Sequence, residues 1–202
     1  NKDQSYYLAG LTPSQISRLL FPLGEFTKSY VRDLAREYGL EIAEKPDSQE
    51  ICFAPKGYRV FLESQGIVDT PGNFVSSSGT IVGTHKGVHN YTVGQRTGLG
   101  LEYRYVLRMN AEKNEIVVGS ASERGTLTMM VGGWSWLSTP MENVTVKIRS
   151  RSKACKVKEW RENDGTMEFH FDDPIESVAP GQLCVMYDAD GNEVHGSGRI
   201  LN

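Results

Sequence analysis

The sequence holds 202 residues, 39% hydrophobic and 23% charged, which is ordinary globular usage and excludes a disordered or low-complexity chain. No apolar run approaches the roughly 18 residues of a membrane span, and three cysteines are too few for a disulfide-stapled miniprotein or a Cys-rich zinc module. A net charge of −3 argues against a generic polyanion binder but leaves room for a local basic patch. Sparse cysteine points to a reducing cytoplasm. The polar opening Asn1-Lys2-Asp3-Gln4-Ser5 does not read as a signal peptide. It lacks Met, and we read the sequence as a piece of a longer protein.

The first 55 residues carry the helical signals. Thr12, Pro13 and Gln15 form a capping box with proline at the first helical position. The stripe Ile16, Leu19 and Leu20 extends this predicted helix over 13–20. A second helix is predicted over 28–38, with Thr27 as its cap. Its Val31, Leu34, Ala35 and Tyr38 recur at helical spacing. Gly39 supplies a left-handed end and Leu40 the apolar partner that folds back. Lys45-Pro46-Asp47-Ser48 reads as a loop, since a residue before proline avoids the helical region. One more short helix is predicted over 58–65.

Glycines then become frequent, between β-branched stretches such as Thr80-Ile81-Val82. Val106, Leu107 and Met109 lead through a polar turn at 110–114 into Ile116-Val117-Val118, the pattern of a hairpin. Val144, Val146 and Ile148 alternate with polar residues, as do Met167, Phe169 and Phe171. Pro180-Gly181 marks a turn, and 183–187 a strand. Short strands at this spacing suggest a small barrel or sandwich. The expected architecture is α+β, mostly β, in three pieces. They are a short helical segment over 1–55, a small glycine-rich central domain over 56–107, and an antiparallel β-barrel over 108–202.

Three features bear on chemistry. Cys52 follows a proline-marked polar loop. It reads either as a small buried hydrophobe or as a thiolate nucleophile or sulfur carrier, which needs an exposed thiol of lowered pKa. Cys155 and Cys184 lie in β patterns and read as structural. No Cys-x-x-Cys is present, which argues against a redox protein.

Residues 143–162 hold seven basic side chains against Glu159 and Glu162, a local net of +5. Alternation places Lys147, Arg149, Arg151 and Lys153 on one face of a strand. Such a row suits a polyanion such as an RNA backbone, or else a solvated edge strand guarded by lysine. The run from Gly83 to Gly100 has five glycines, His85 and His89. Its spacing matches no nucleotide-binding fingerprint, and Gly87 argues against a helical histidine pair for metal.

Five stretches, in order, resemble the tRNA-specific 2-thiouridylases. They are Lys2-Asp3-Gln4-Ser5-Tyr6, Leu20-Phe21-Pro22-Leu23-Gly24, Asp47-Ser48-Gln49-Glu50-Ile51-Cys52-Phe53, Tyr91-Thr92-Val93-Gly94-Gln95-Arg96-Thr97-Gly98-Leu99-Gly100 and Pro180-Gly181-Gln182. The resemblance implies ATP-dependent 2-thiolation of the tRNA wobble uridine, position 34, with Cys52 carrying the persulfide. It implies tRNA contacts at Lys2, Asp3, Gln4, Arg149, Ser150 and Gln182. Many relatives carry an aromatic in place of Ser150.

The resemblance also implies a second catalytic cysteine, and an ATP loop with its Mg2+, lying upstream of this sequence. The 202 residues would then be the C-terminal half of the enzyme, inactive alone. A cysteine desulfurase or sulfur-relay protein would supply the sulfur, with no membrane involved. The competing reading is a non-catalytic RNA-binding β-barrel, which has no use for Cys52.

Overall fold

The computed structural model describes residues 3–45, 53–54, 57–140 and 142–201. They sort into two units, one of Ser17–Val68 and a larger one in which residues up to Ile16 join those from Asp69 onward. Helices α1 (Ser5–Leu8) and α2 (Pro13–Ile16) belong to the larger unit, and α3 (Lys28–Glu37) and α4 (Tyr58–Ser64) to the smaller.

The capping box forms as read. The Thr12 N–H donates to Gln15 Oε1 at 2.8 Å and the Gln15 N–H to Thr12 Oγ1 at 3.3 Å. The helix stops at Ile16, however, short of the expected residue 20. Leu20 is 88% exposed, so its stripe finds no core to stabilise another turn. Pro22 further biases Phe21 away from helix. In α3 the Thr27 hydroxyl accepts from the Tyr30 N–H. Gly39 takes φ +63°, and the Leu40 N–H reaches back to the Ala35 carbonyl at 2.8 Å, completing a Schellman end.

Four strands build the first sheet: β1 (Gly72–Val75), β2 (Ile81–His85), β3 (Tyr105–Asn110) and β4 (Glu115–Gly119), in the order β2-β1-β4-β3. The predicted hairpin is β3–β4, and Asn114 takes a positive φ in its turn. The expected division at 107 falls within β3. β1 and β4 pair in parallel, a long-range pairing that joins the glycine-rich middle to the hairpin. Phe74, Val106, Ile116 and Val118 form its core.

His85 is buried in this core, edge-on to Phe74 at 5.3 Å and Tyr91 at 5.7 Å. Gly72 makes room for it, because a Cβ there would stand 2.7 Å from the imidazole Cε1. Burial pushes the His85 pKa below its ordinary 6.5, outweighing the opposing pull of the Asn114 backbone. The unfolded chain therefore takes up this proton first as pH falls, so His85 costs no stability above pH 6.5 and a growing amount below it. Urea midpoints measured between pH 7 and 5 should fall more steeply for the wild type than for His85→Phe. Parallel pH dependences would show that His85 does not carry the effect.

The second sheet has seven strands: β5 (Gly125–Trp136), β6 (Thr145–Lys147), β7 (Cys155–Lys156), β8 (Glu159–Asn163), β9 (Thr166–Glu176), β10 (Leu183–Tyr187) and β11 (Val194–Ile200). Their order is β7-β6-β10-β11-β5-β9-β8, antiparallel throughout. The Val157 N–H donates to the Val144 carbonyl, and the Lys158 N–H to His170 in β9. Two consecutive residues thus carry the chain from one sheet edge to the other, curling the sheet into the expected barrel. Its interior takes the alternating residues read from the sequence: Val144, Val146, Ile148, Met167, Phe169 and Phe171 are all buried.

Candidate nucleic-acid interface

The apolar run of β10 explains how the site is assembled. Leu183-Cys184-Val185-Met186-Tyr187 does not alternate, as befits a strand buried on both faces. Cys184 and Met186 point into the barrel core. Val185 and Tyr187 form a second cluster with Tyr6 and Ala9, so α1 lies on the outer face of β10. A four-residue helix is not stable by itself, and tertiary bonds hold this one. The Tyr6 hydroxyl donates to the Leu183 carbonyl at 2.5 Å, the Ser5 hydroxyl lies 3.2 Å from that of Tyr187, and the Ser197 hydroxyl donates to the Ala9 carbonyl at 2.7 Å.

That docking places Asp3 and Gln4 beside the other candidate contacts. The Asp3 carboxylate accepts the Ser5 N–H at 2.8 Å and the Ser5 hydroxyl at 2.9 Å. These bonds, with a smaller contribution from the Lys147 charge, hold its pKa below the usual carboxylate value. Gln4 is exposed, and its carbonyl accepts from Tyr7 and Leu8 at the start of α1. The Tyr7 hydroxyl sits 3.2 Å from the Ser150 hydroxyl, which ties α1 to the turn after β6. The Lys147 ammonium lies over the Tyr187 ring at 5.0 Å. Gln182 is exposed after the Pro180-Gly181 turn, one residue before the Leu183 carbonyl that receives Tyr6. Gly181 takes φ +85° in that turn.

The expected row of four cations on one strand does not form. β6 ends at Lys147, and residues 148–152 turn. The Ser152 hydroxyl accepts the Arg149 N–H and donates to the Arg149 carbonyl, and this local ring competes with strand pairing. The Arg149 guanidinium is partly buried and donates to the carbonyls of Val93 at 3.4 Å and Ser177 at 3.3 Å. It therefore links the loop before β3 to the barrel. Arg151 and Lys153 are exposed and are the freer charges of the group.

The remaining candidates separate. Lys2 and Cys52 lie outside the described residues. Burial pushes the thiols of Cys155 and Cys184 up, which keeps both protonated and inert. His89 bonds the Asp69 carboxylate at 3.0 Å, far in role from buried His85. Among the described residues no group of three His, Cys, Asp or Glu side chains gathers to hold a metal, and no helix is long and apolar enough to cross a membrane. A cleft of about 690 Å3 opens between the two sheets. Its Arg124 is already committed, paired with Glu176 and lying 4.2 Å over the Tyr105 ring. Sequence reading missed the tyrosines Tyr6, Tyr7 and Tyr187. The unbroken apolar run of β10 is the signal that points to a covering element.

Three family models match in succession: a tRNA methyl transferase HUP domain over residues 1–56, a tRNA methyl transferase PRC-barrel domain over 59–120, and an aminomethyltransferase beta-barrel domain over 126–200. Similar proteins include the tRNA-specific 2-thiouridylases MnmA of Koribacter versatilis, Acidobacterium capsulatum and Halothermothrix orenii. The identities are 45%, 42% and 40%, over 94%, 100% and 99% of this chain. The chain spans 55%, 58% and 58% of those relatives' own lengths.

Proposed function

The chain belongs to the tRNA-specific 2-thiouridylase family, and from that premise we propose that it serves ATP-dependent replacement of the 2-oxygen of the tRNA wobble uridine, position 34, by sulfur. In this reading Cys52 carries the sulfur as a persulfide received from a cysteine desulfurase or sulfur-relay protein, in the cytoplasm. Lys2, Asp3, Gln4, Arg149, Ser150 and Gln182 contact the tRNA. We assign ATP and its Mg2+ to the part of the relatives that this chain does not span.

The observation that carries the reading is convergence. Segments 3–7, 147–150 and 182–187, far apart in sequence, meet around α1 and β10 through the Tyr6–Leu183, Ser5–Tyr187 and Tyr7–Ser150 bonds. An RNA loop is recognised by phosphate contacts together with splayed bases. The meeting place supplies both kinds of group: exposed cations at Arg151 and Lys153, and hydroxyl and amide side chains around an aromatic cluster.

The direct test incubates the full-length protein with tRNA, ATP, Mg2+, cysteine and a desulfurase, followed by mass analysis of the nucleosides. The expected product is 2-thiouridine at position 34, and its absence would overturn the reading. Binding gives a second measure. Arg151→Glu and Lys153→Glu should each lower the slope of log K against log salt by about 0.7 to 0.9. Unchanged slopes would show that these charges only face solvent. Arg149→Glu is a poorer probe, because the side chain also holds the Val93 and Ser177 carbonyls.

A further inference from the structure

Tyr7 stands out once α1 is docked. Tyr7 is 64% exposed, and among the described residues of the larger unit every other aromatic residue is buried or half-buried. An isolated exposed tyrosine carries no message, but this one is held and surrounded. Its edge-to-face contact with Tyr6 has ring centroids 5.6 Å apart, and Tyr6 is itself anchored to the Leu183 carbonyl. The Tyr7 hydroxyl is fixed at its far end by Ser150. Both ends of the ring are thus positioned, while most of its surface remains open. Asp3 and Gln4 precede it in the chain, and the 148–152 turn with Arg149 and Arg151 lies across from it.

We infer that Tyr7 is the stacking platform of the interface, on which an unpaired base of the bound tRNA loop lays its face. The inference rests on the tRNA-binding reading above and adds the residue that grips a base where the others grip backbone or base edges. A preset ring suits this task because little side-chain entropy remains to be lost, and a base–aromatic stack is worth about 1–3 kcal/mol. The Ser150 hydroxyl acts as the positioning group, holding the ring by its phenol oxygen.

Stacking and charge pairing leave different signatures. Stacking releases no counterions, so loss of the ring should weaken binding without altering its salt dependence. We expect Tyr7→Ala and Tyr7→Leu to weaken binding of the tRNA about five- to hundredfold, with the salt slope unchanged. Tyr7→Phe and Tyr7→Trp, which keep a flat π surface but lose the bond to Ser150, should bind clearly more tightly than Tyr7→Ala and Tyr7→Leu. In an anticodon-loop tRNA with 2-aminopurine at one unpaired position at a time, at least one position should be quenched by wild type and Tyr7→Phe and not by Tyr7→Leu. Thermal melts of the free variants should show them folded, and Tyr7→Phe, which also lacks the bond to Ser150, controls for any loosening of α1.

Wild-type affinity in Tyr7→Leu would overturn the inference while leaving the tRNA-binding reading intact. So would Tyr7→Phe as weak as Tyr7→Ala, which would assign the effect to the Ser150 hydrogen bond. A changed salt slope in Tyr7→Ala would also overturn it. Failure of the wild type itself to bind tRNA would remove both the reading and the inference drawn from it.

Discussion

Cys52→Ser in the full-length protein is expected to abolish formation of 2-thiouridine while tRNA affinity stays within about twofold, the largest effect expected of any single change. The reason is chemical. A serine oxygen cannot accept a sulfane sulfur from a donor persulfide, so the variant has nothing to deliver. A persulfide is also more acidic than a thiol and is the more competent nucleophile near neutral pH. The other two cysteines offer no substitute. Cys184 is fully buried in the barrel core, Cys155 is half-buried beside it, and burial raises both pKa values. Mass spectrometry after incubation with a desulfurase and cysteine should find one added sulfur on Cys52 and none on Cys155 or Cys184. Undiminished turnover by the serine variant would take Cys52 out of the mechanism.

Phe169→Ala is expected to cost about 3–5 kcal/mol of barrel stability. The ring is inaccessible to solvent, stacks on Phe171 at 6.4 Å and meets Trp134 at 5.5 Å. It lies in β9, in register with Met129 of β5 on one side and Trp160 of β8 on the other. Neighbours fixed on both sides cannot collapse into the vacated volume, so the loss of burial and the cavity both count. Leu127→Ala in β5, a half-exposed site, serves as the control and should change stability by about 0.5 kcal/mol or less. Urea midpoints compared at constant m-value measure both. A Phe169→Ala loss below about 1 kcal/mol would mean that the barrel interior repacks freely.

The sequence read well where one local rule dominated. The ends of α3 follow from Thr27 and Gly39, whose cap and left-handed turn are properties of single residues. The inward positions in and beside β6, and those along β9, follow from period-two alternation at Val144, Val146 and Ile148 and at Met167, Phe169 and Phe171. Reading failed where distant partners decided. The stripe through Leu19 and Leu20 predicted helix, but without a core to receive it the chain turned away.

The parallel pairing of β1 with β4 has no local signature, because its register is set by the shared core around Phe74 and Ile116. Alternation also put Arg149 on a cationic face. Its guanidinium instead took the Val93 and Ser177 carbonyls, 56 and 28 residues away. For the site, the motifs named Asp3, Gln4, Arg149, Ser150 and Gln182. That Tyr6 and Tyr187 would bring them together required knowing that β10 is covered on its outer side.

The bond from Tyr6 to Leu183 spans 177 positions of sequence, and it has a consequence for biosynthesis. The larger unit is discontinuous, so the residues that cover β10 leave the ribosome long before β10 itself exists. At about 5–20 residues per second, that early segment waits roughly ten to thirty seconds for its partner strand, and the intervening residues 17–68 are synthesised meanwhile. Closure over so long a stretch is entropically mild, because each doubling of loop length adds only about 0.6 kcal/mol. The delay instead makes the assembled surface a late product of translation, complete only after β10 has been made.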